Sequence, residues 1–171
     1  MKRATTVGRA TRLSASRSKT GGPPVPLSHL DARGRAKLVD VSAKPISQRE
    51  AIARGTIFLK PVTIGLIESN QIAKGDVLNT ARIAGIQAAK RTGELIPLCH
   101  PLNLTHVDVD LTVRRDHIDI TATAKIAAQT GVEMEALTAV AVAALTIYDM
   151  CKAVDKEMTI GEIRLVSKIK H

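Results

Sequence analysis

The stretch TGVEMEALTAVAVAALTIYDMCKAVDKE, residues 130 to 157, constrains the fold more than any other part of the chain. It reads as one long helix whose apolar residues run nearly all round rather than along a single stripe, so more than one of its sides must be covered. No apolar run in the chain reaches the roughly 18 to 20 residues that cross a bilayer without meeting a charge, so the cover has to be protein. The other segments can supply it. KLVDVSAK, residues 37 to 44, alternates Leu38, Val39 and Val41 with polar residues and predicts a strand, and AIARGTIFL, from Ala51 to Leu59, predicts a second. Pro61 suits the first turn of a short helix running to Ile67. In KGDVLNTARIAGIQAAKRTG, Asp76 is the expected N-cap of a helix with apolar residues at Val77, Leu78, Ala81 and Ala84, basic residues in the last turn and Gly93 as its stop. The runs Val107/Val109/Leu111/Val113 and Ile118/Ile120, split by RRDH, predict a hairpin, and IGEIRLVSKIK closes the chain as a strand. Strands interleaved with three helices in this way predict an α+β fold, the helices on one face of a largely antiparallel sheet.

With 171 residues, 44% of them hydrophobic, the chain is of a size for one compact domain with a real core. Cys99 and Cys151 cannot make a disulfide framework, which fits a reducing, soluble compartment. The net charge of +9 is unevenly spread. Residues 1–26 carry Lys2, Arg3, Arg9, Arg12, Arg17 and Lys19 and no acid, and their Ser, Thr, Gly and Pro content predicts a disordered basic tail. Its Arg- and Ser-rich, acid-free composition is also that of an organelle transit peptide. Residues 27–171 are then the single folded domain. A nucleic-acid-binding module using the tail is the competing class, but Phe58 and Tyr148 are the only aromatic residues, too few for stacking platforms.

No Gly-rich phosphate loop, Cys-x-x-Cys, His-Glu-x-x-His or nucleophile elbow occurs, so chemistry must be sought in single polar residues in apolar settings. In IPLCHPL the prolines bias Ile96 and His100 to extended backbone, which places Leu98 and His100 on one side and Cys99 on the other. Cys99 and His100 are then neither a metal pair nor a nucleophile with its base. His100 alone is either a histidine satisfied by backbone or a ligand-facing one. On the long helix, Glu133 lies three residues after Thr130 and can serve a capping box, whereas Glu135 has no such role. Asp149 and Lys152 lie three apart among Leu145, Ile147, Met150, Cys151 and Val154, and such a pair is either a surface ion pair or one tuned toward neutral pH for proton transfer. Glu135 and Asp149 are roughly 21 Å apart along one helix, too far to touch one small ligand, so if both act a second subunit must contribute one of them.

Taken together, AKGDVLNTARIAGIQAAKRTGELIPLCHPL and TGVEMEALTAVAVAALTIYDMCKAVDK closely resemble the molybdenum cofactor biosynthesis protein C family, the cyclic pyranopterin monophosphate synthases. The resemblance runs from SHLDARGRAKLVDVSAK to the last strand, about residues 27 to 169. It implies a ferredoxin-like fold and a lyase that turns 3',8-cyclised dihydro-GTP, supplied by a radical enzyme upstream, into cyclic pyranopterin monophosphate with release of pyrophosphate. It further implies a hexamer built from dimers, with pockets between subunits, working in the cytoplasm without membrane or nucleic-acid partners. No organic cofactor and no protein-bound metal enter; Mg2+ accompanying the triphosphate is the one ion admitted.

Carried over onto this chain, the family's motifs mark Lys74, Asp149 and Lys152 as catalytic. His100, Glu133, Met134, Glu135, Arg49, Leu98 and Cys99 fall in the substrate-binding set, Cys99 as packing. Lys152 with Asp149 suits acid/base work, Lys74, His100 and Arg49 suit the phosphates, and Glu133 and Glu135 suit the donor edge of a guanine-derived ring. The chain departs from the family in its basic first 26 residues and in ending at SKIKH, without a Gly/Lys/Ser-rich tail.

Overall fold

The computed structural model describes residues 29–31 and 33–171; the disordered tail expected over residues 1–26 lies outside the described residues. In chain order the elements are β1 (Ser47–Phe58), α1 (Pro61–Glu68), α2 (Val77–Lys90), α3 (Thr92–Leu95), β2 (His106–Val113), β3 (His117–Ala128), α4 (Glu133–Cys151) and β4 (Thr159–Lys170). The strands form one sheet in the order β2-β3-β1-β4, with every neighbouring pair antiparallel. Helices cover one side of it, which is the ferredoxin-like α+β arrangement.

Alternation decides which side of the sheet is covered. β1 buries Ala51, Ala53 and Ile57, and β3 buries Ile118, Ile120, Ala122, Ala124 and Ile126, all at every second position. Against these α4 lays Ala136, Ala139, Val140, Ala143, Ala144 and Ile147, each fully buried. α4 is long and apolar enough to cross a bilayer by length and composition, but here it packs on β1 and β3 with α2 against its other side. The approach of α2 is close because Gly85 has no side chain: a Cβ there would lie 2.9 Å from the Ala139 carbonyl oxygen.

The hairpin, the closing strand, the helix from Pro61 and the Asp76 N-cap, whose carboxylate accepts from the Asn79 N–H at 2.9 Å, are all found where the pattern puts them. Three expectations are corrected. Residues 37–44 form no strand; the segment is irregular, its Val39 carbonyl accepting from His100 Nε2 and its Ser42 carbonyl from the Gln129 side chain. Gly93 does not stop α2, which ends at Lys90, but lies within the single-turn α3. Thr130 and Glu133 make no capping box, since α4 begins after Val132 with no side-chain cap.

Candidate active site

The residues singled out in the sequence gather at the two ends of α4. At its N-terminal end, the first turn supplies Glu133, Met134 and Glu135, and the loop after α3 supplies Leu98, Cys99 and His100. These six line one cavity of about 370 Å³, closed on another side by His29, Val39, Val41 and Lys44 from the irregular segment before β1.

The IPLCHPL loop is not extended throughout. Ile96 is extended as its proline neighbour requires, but the Cys99 N–H donates to the Ile96 carbonyl at 3.0 Å and closes a turn. Cys99 therefore does not point away from His100; both face the same cavity, and the geometric argument for separating them falls. Burial and the Glu135 carboxylate hold the Cys99 thiol above its ordinary value, so it stays protonated and a poor nucleophile or ligand. His100 donates from Nε2 to the Val39 carbonyl at 2.8 Å. A carbonyl only accepts, so this bond assigns the proton to Nε2 and ties the cavity-forming segment to the loop.

Glu135 is the most perturbed acid of the cavity. It is 3% exposed, and its carboxyl is pushed up to about 7, by burial above all and by the nearby Glu133, with its own backbone N–H opposing. Glu133 is paired with Lys168 of β4. Arg49 does not line the cavity; its guanidinium donates to the carbonyls of Ala128 and Gln129 at 3.0 and 3.1 Å, clamping the chain that leads into α4.

At the other end of α4, Lys74 reaches over from the loop before α2. Gly75, at φ +94, makes the turn that only glycine takes easily. Lys74 Nζ donates to an Asp149 carboxylate oxygen at 2.5 Å and to the Asp149 carbonyl at 2.9 Å, one of the carbonyls left unpaired at a helix C-terminus. Lys152 Nζ lies 2.7 Å from the other carboxylate oxygen. The three residues named as catalytic are thus one cluster, and Lys74 belongs with the Asp149 pair rather than with His100 and Arg49. The expected tuning toward neutrality is reversed in the single chain. About half of each side chain is exposed, so desolvation is weak; the hydrogen bonds from Lys152 and Lys74 hold Asp149 down at about 2, and Asp149 raises Lys152.

Sequence reasoning missed Lys44 and His29 in the cavity wall and Lys168 on Glu133. Lys168 carried a signal, since it pairs in register with the buried Ala51 and is a cation on the covered side of a strand. Also missed was Asp155, 2% exposed, which accepts from the Lys60 N–H at 2.8 Å, the Thr63 hydroxyl at 3.1 Å and the Glu157 N–H at 3.1 Å. It joins the turn after α4 to the start of α1.

Comparison with known proteins follows the same motifs. A profile described as the MoaC family matches residues 38–170. A cyclic pyranopterin monophosphate synthase from Chloroflexus aggregans is 61% identical over 144 residues, 83% of this chain and 87% of that relative. Proteins of the same name from a Roseiflexus species and from Parvibaculum lavamentivorans are 61% and 56% identical over 144 residues, covering 91% and 90% of their own lengths. The matched residues take in both ends of α4 and the Cys99–His100 loop, and the chain belongs to the MoaC family.

Proposed function

We propose that this protein is a cyclic pyranopterin monophosphate synthase of molybdenum cofactor biosynthesis, acting in the cytoplasm on the 3',8-cyclised dihydro-GTP that a radical enzyme supplies. The reaction rebuilds the purine's five-membered ring as a pyrazine. It then closes a cyclic phosphate: a substrate hydroxyl attacks the α-phosphorus, the bond to the β-phosphate oxygen breaks, and pyrophosphate leaves. Proton transfers and charge neutralisation are what this demands of the protein; Mg2+ enters only with the triphosphate, and no organic cofactor is needed.

One observation carries the reading. The acids at one end of α4 and the Lys74–Asp149–Lys152 cluster at the other are roughly 21 Å apart along a single helix, so one substrate meets both only across two chains. In this reading a dimer, as the unit of a hexamer, lays the lysine cluster of one copy over the cavity of the next. Glu133 and Glu135 hold the guanine-derived ring, and Glu135, near 7, can give or take a proton at neutral pH. His100, fixed through Nε2, presents Nδ1 to substrate. Lys74 and Lys152 serve the phosphates and the proton transfers. Arg49 acts by fixing the chain that carries the acids.

Mixing two dead variants tests this. Glu135→Ala and Asp149→Ala proteins should each be inactive with the cyclised GTP. In a random mixture about half the dimers are mixed, each with one site carrying both lesions and one carrying neither, so about a quarter of parent turnover should return. Asp149→Ala mixed with Lys152→Ala, neighbours on one helix, should return none. No recovery in the first mixture, with mixed dimers demonstrated by mass, would overturn the two-chain site.

A further inference from the structure

Resting on that reading, we propose that Gly131 is a positioning residue: by having no side chain it leaves the space into which the Glu133 carboxylate folds back, and so fixes Glu133 on Lys168 at the cavity wall. A Cβ built on Gly131 would overlap Oε2 of Glu133 and lie 2.6 Å from its Cδ and 2.7 Å from its Oε1. Backbone conformation does not demand glycine here, since among the described glycines only Gly34 and Gly75 have positive φ. What the missing side chain leaves at this position is space, and the Glu133 carboxylate occupies it.

Glu133 is available for this because Val132 caps α4 without a side-chain bond, so its carboxylate is not committed to a capping box. It turns over Gly131 instead, and Oε1 meets Lys168 of β4. Two residues on, the buried Glu135 stands in the same wall and feels the Glu133 charge. Displacing Glu133 deprives Lys168 of its partner and changes the charge beside Glu135. One absent methyl group thus governs three charged side chains.

The test is a double-mutant cycle of Gly131→Ala and Glu133→Asp, read as turnover of the cyclised GTP and as thermal midpoint. Gly65→Ala is the control, because a Cβ there meets nothing within 4 Å and its turnover should equal the parent's. Gly131→Ala should lose about tenfold or more in kcat/KM, since small misplacements of a site group cost that much or more. Its thermal midpoint should stay near the parent's, the colliding atoms being the end of a flexible side chain. Glu133→Asp withdraws the carboxylate from Gly131, so the fold-loss caused by Gly131→Ala should be smaller in the Glu133→Asp background than in the parent. A Gly131→Ala protein within about twofold of the parent, or losses that simply multiply, would overturn the proposal. If Gly131→Ala does not fold, adding Glu133→Ala should restore folding, and failure to do so places the collision elsewhere. A parent protein inactive on the cyclised GTP sinks the functional reading instead. The positioning role is then decided by a crystal structure of Gly131→Ala: the carboxylate moved off Lys168 supports it, and the carboxylate unmoved overturns it.

Discussion

Glu135 and Asp149 are acids on the same helix whose surroundings push them in opposite directions, one up to about 7 and the other down to about 2. For Glu135 the consequence extends to stability. Its folded value lies above the ordinary 4.5, so the folded state holds the proton more tightly than the unfolded chain. What Glu135 contributes is fully present below its ordinary value and is lost as pH rises through about 7. Glu135→Gln, always neutral, escapes that loss. Its stability relative to the parent should therefore improve by up to about 3 kcal/mol between about pH 4 and pH 8, read from urea midpoints at each pH. A difference that stays flat with pH would show that Glu135 is not buried in its charged form. The sequence marked Glu135 as an acid with no capping role, but not its burial in a cavity wall shared with the Leu98–His100 loop and the segment before β1. For Asp149 the sequence named the partner Lys152 and missed that Lys74 also reaches it, because the two lie 75 residues apart and meet only in the fold.

Among the elements, regular periods were legible and irregular segments were not. The hairpin strands, α2 and α4 all announce themselves through spacing, since each buries a face against the same core. KLVDVSAK has a strand's alternation without a strand's partner: Val39 and Val41 line a cavity, and the Val39 carbonyl is taken by His100. Alternation reports two faces, and a pocket wall has two faces as well. The Ile96–Cys99 turn escaped for a related reason, because the proline rule fixes Ile96 but says nothing of a hydrogen bond closing three residues on. Asp155 was hidden by ordinary charge content. It is the joint between the α1 start and the α4 end, and two backbone N–H groups and one hydroxyl depend on it. Asp155→Ala leaves those donors without an acceptor in a buried place, so it should cost about 2 to 4 kcal/mol by urea denaturation with an unchanged m-value. Its carboxyl is held below the ordinary value by those donors against the pull of burial. The stabilisation is therefore present above the ordinary carboxylate value and disappears as pH falls through the lower folded one. The gap between Asp155→Ala and parent should narrow in strong acid, and a gap that does not narrow would mean that the carboxylate's charge is not what holds the joint.

At the scale of the whole molecule, a single chain leaves much that calls for cover. Among the described residues β4 ends the sheet, with no strand beside its outer row of backbone groups, and along it Leu165, Val166 and Ile169 are about four-tenths exposed or more. Leu145 and Val154, either side of the Lys74–Asp149–Lys152 cluster in sequence, are more than half exposed. Apolar residues around a charged cluster gain little in a free chain, whereas a second copy laid over them would bury the apolar ring and strip water from the charges together. On the proposed two-chain site, assembly and activity would be one property. Diluted through the range where sedimentation shows chains separating, the protein should lose turnover per chain in step with the loss of mass. Leu145→Arg, which puts a charge into the apolar ring without touching the core, should shift that range to higher concentration while leaving the chain folded by circular dichroism. A species shown to be single chains yet as active per chain as the assembled protein would mean that one end of α4 suffices, and the two-chain site would have to be given up.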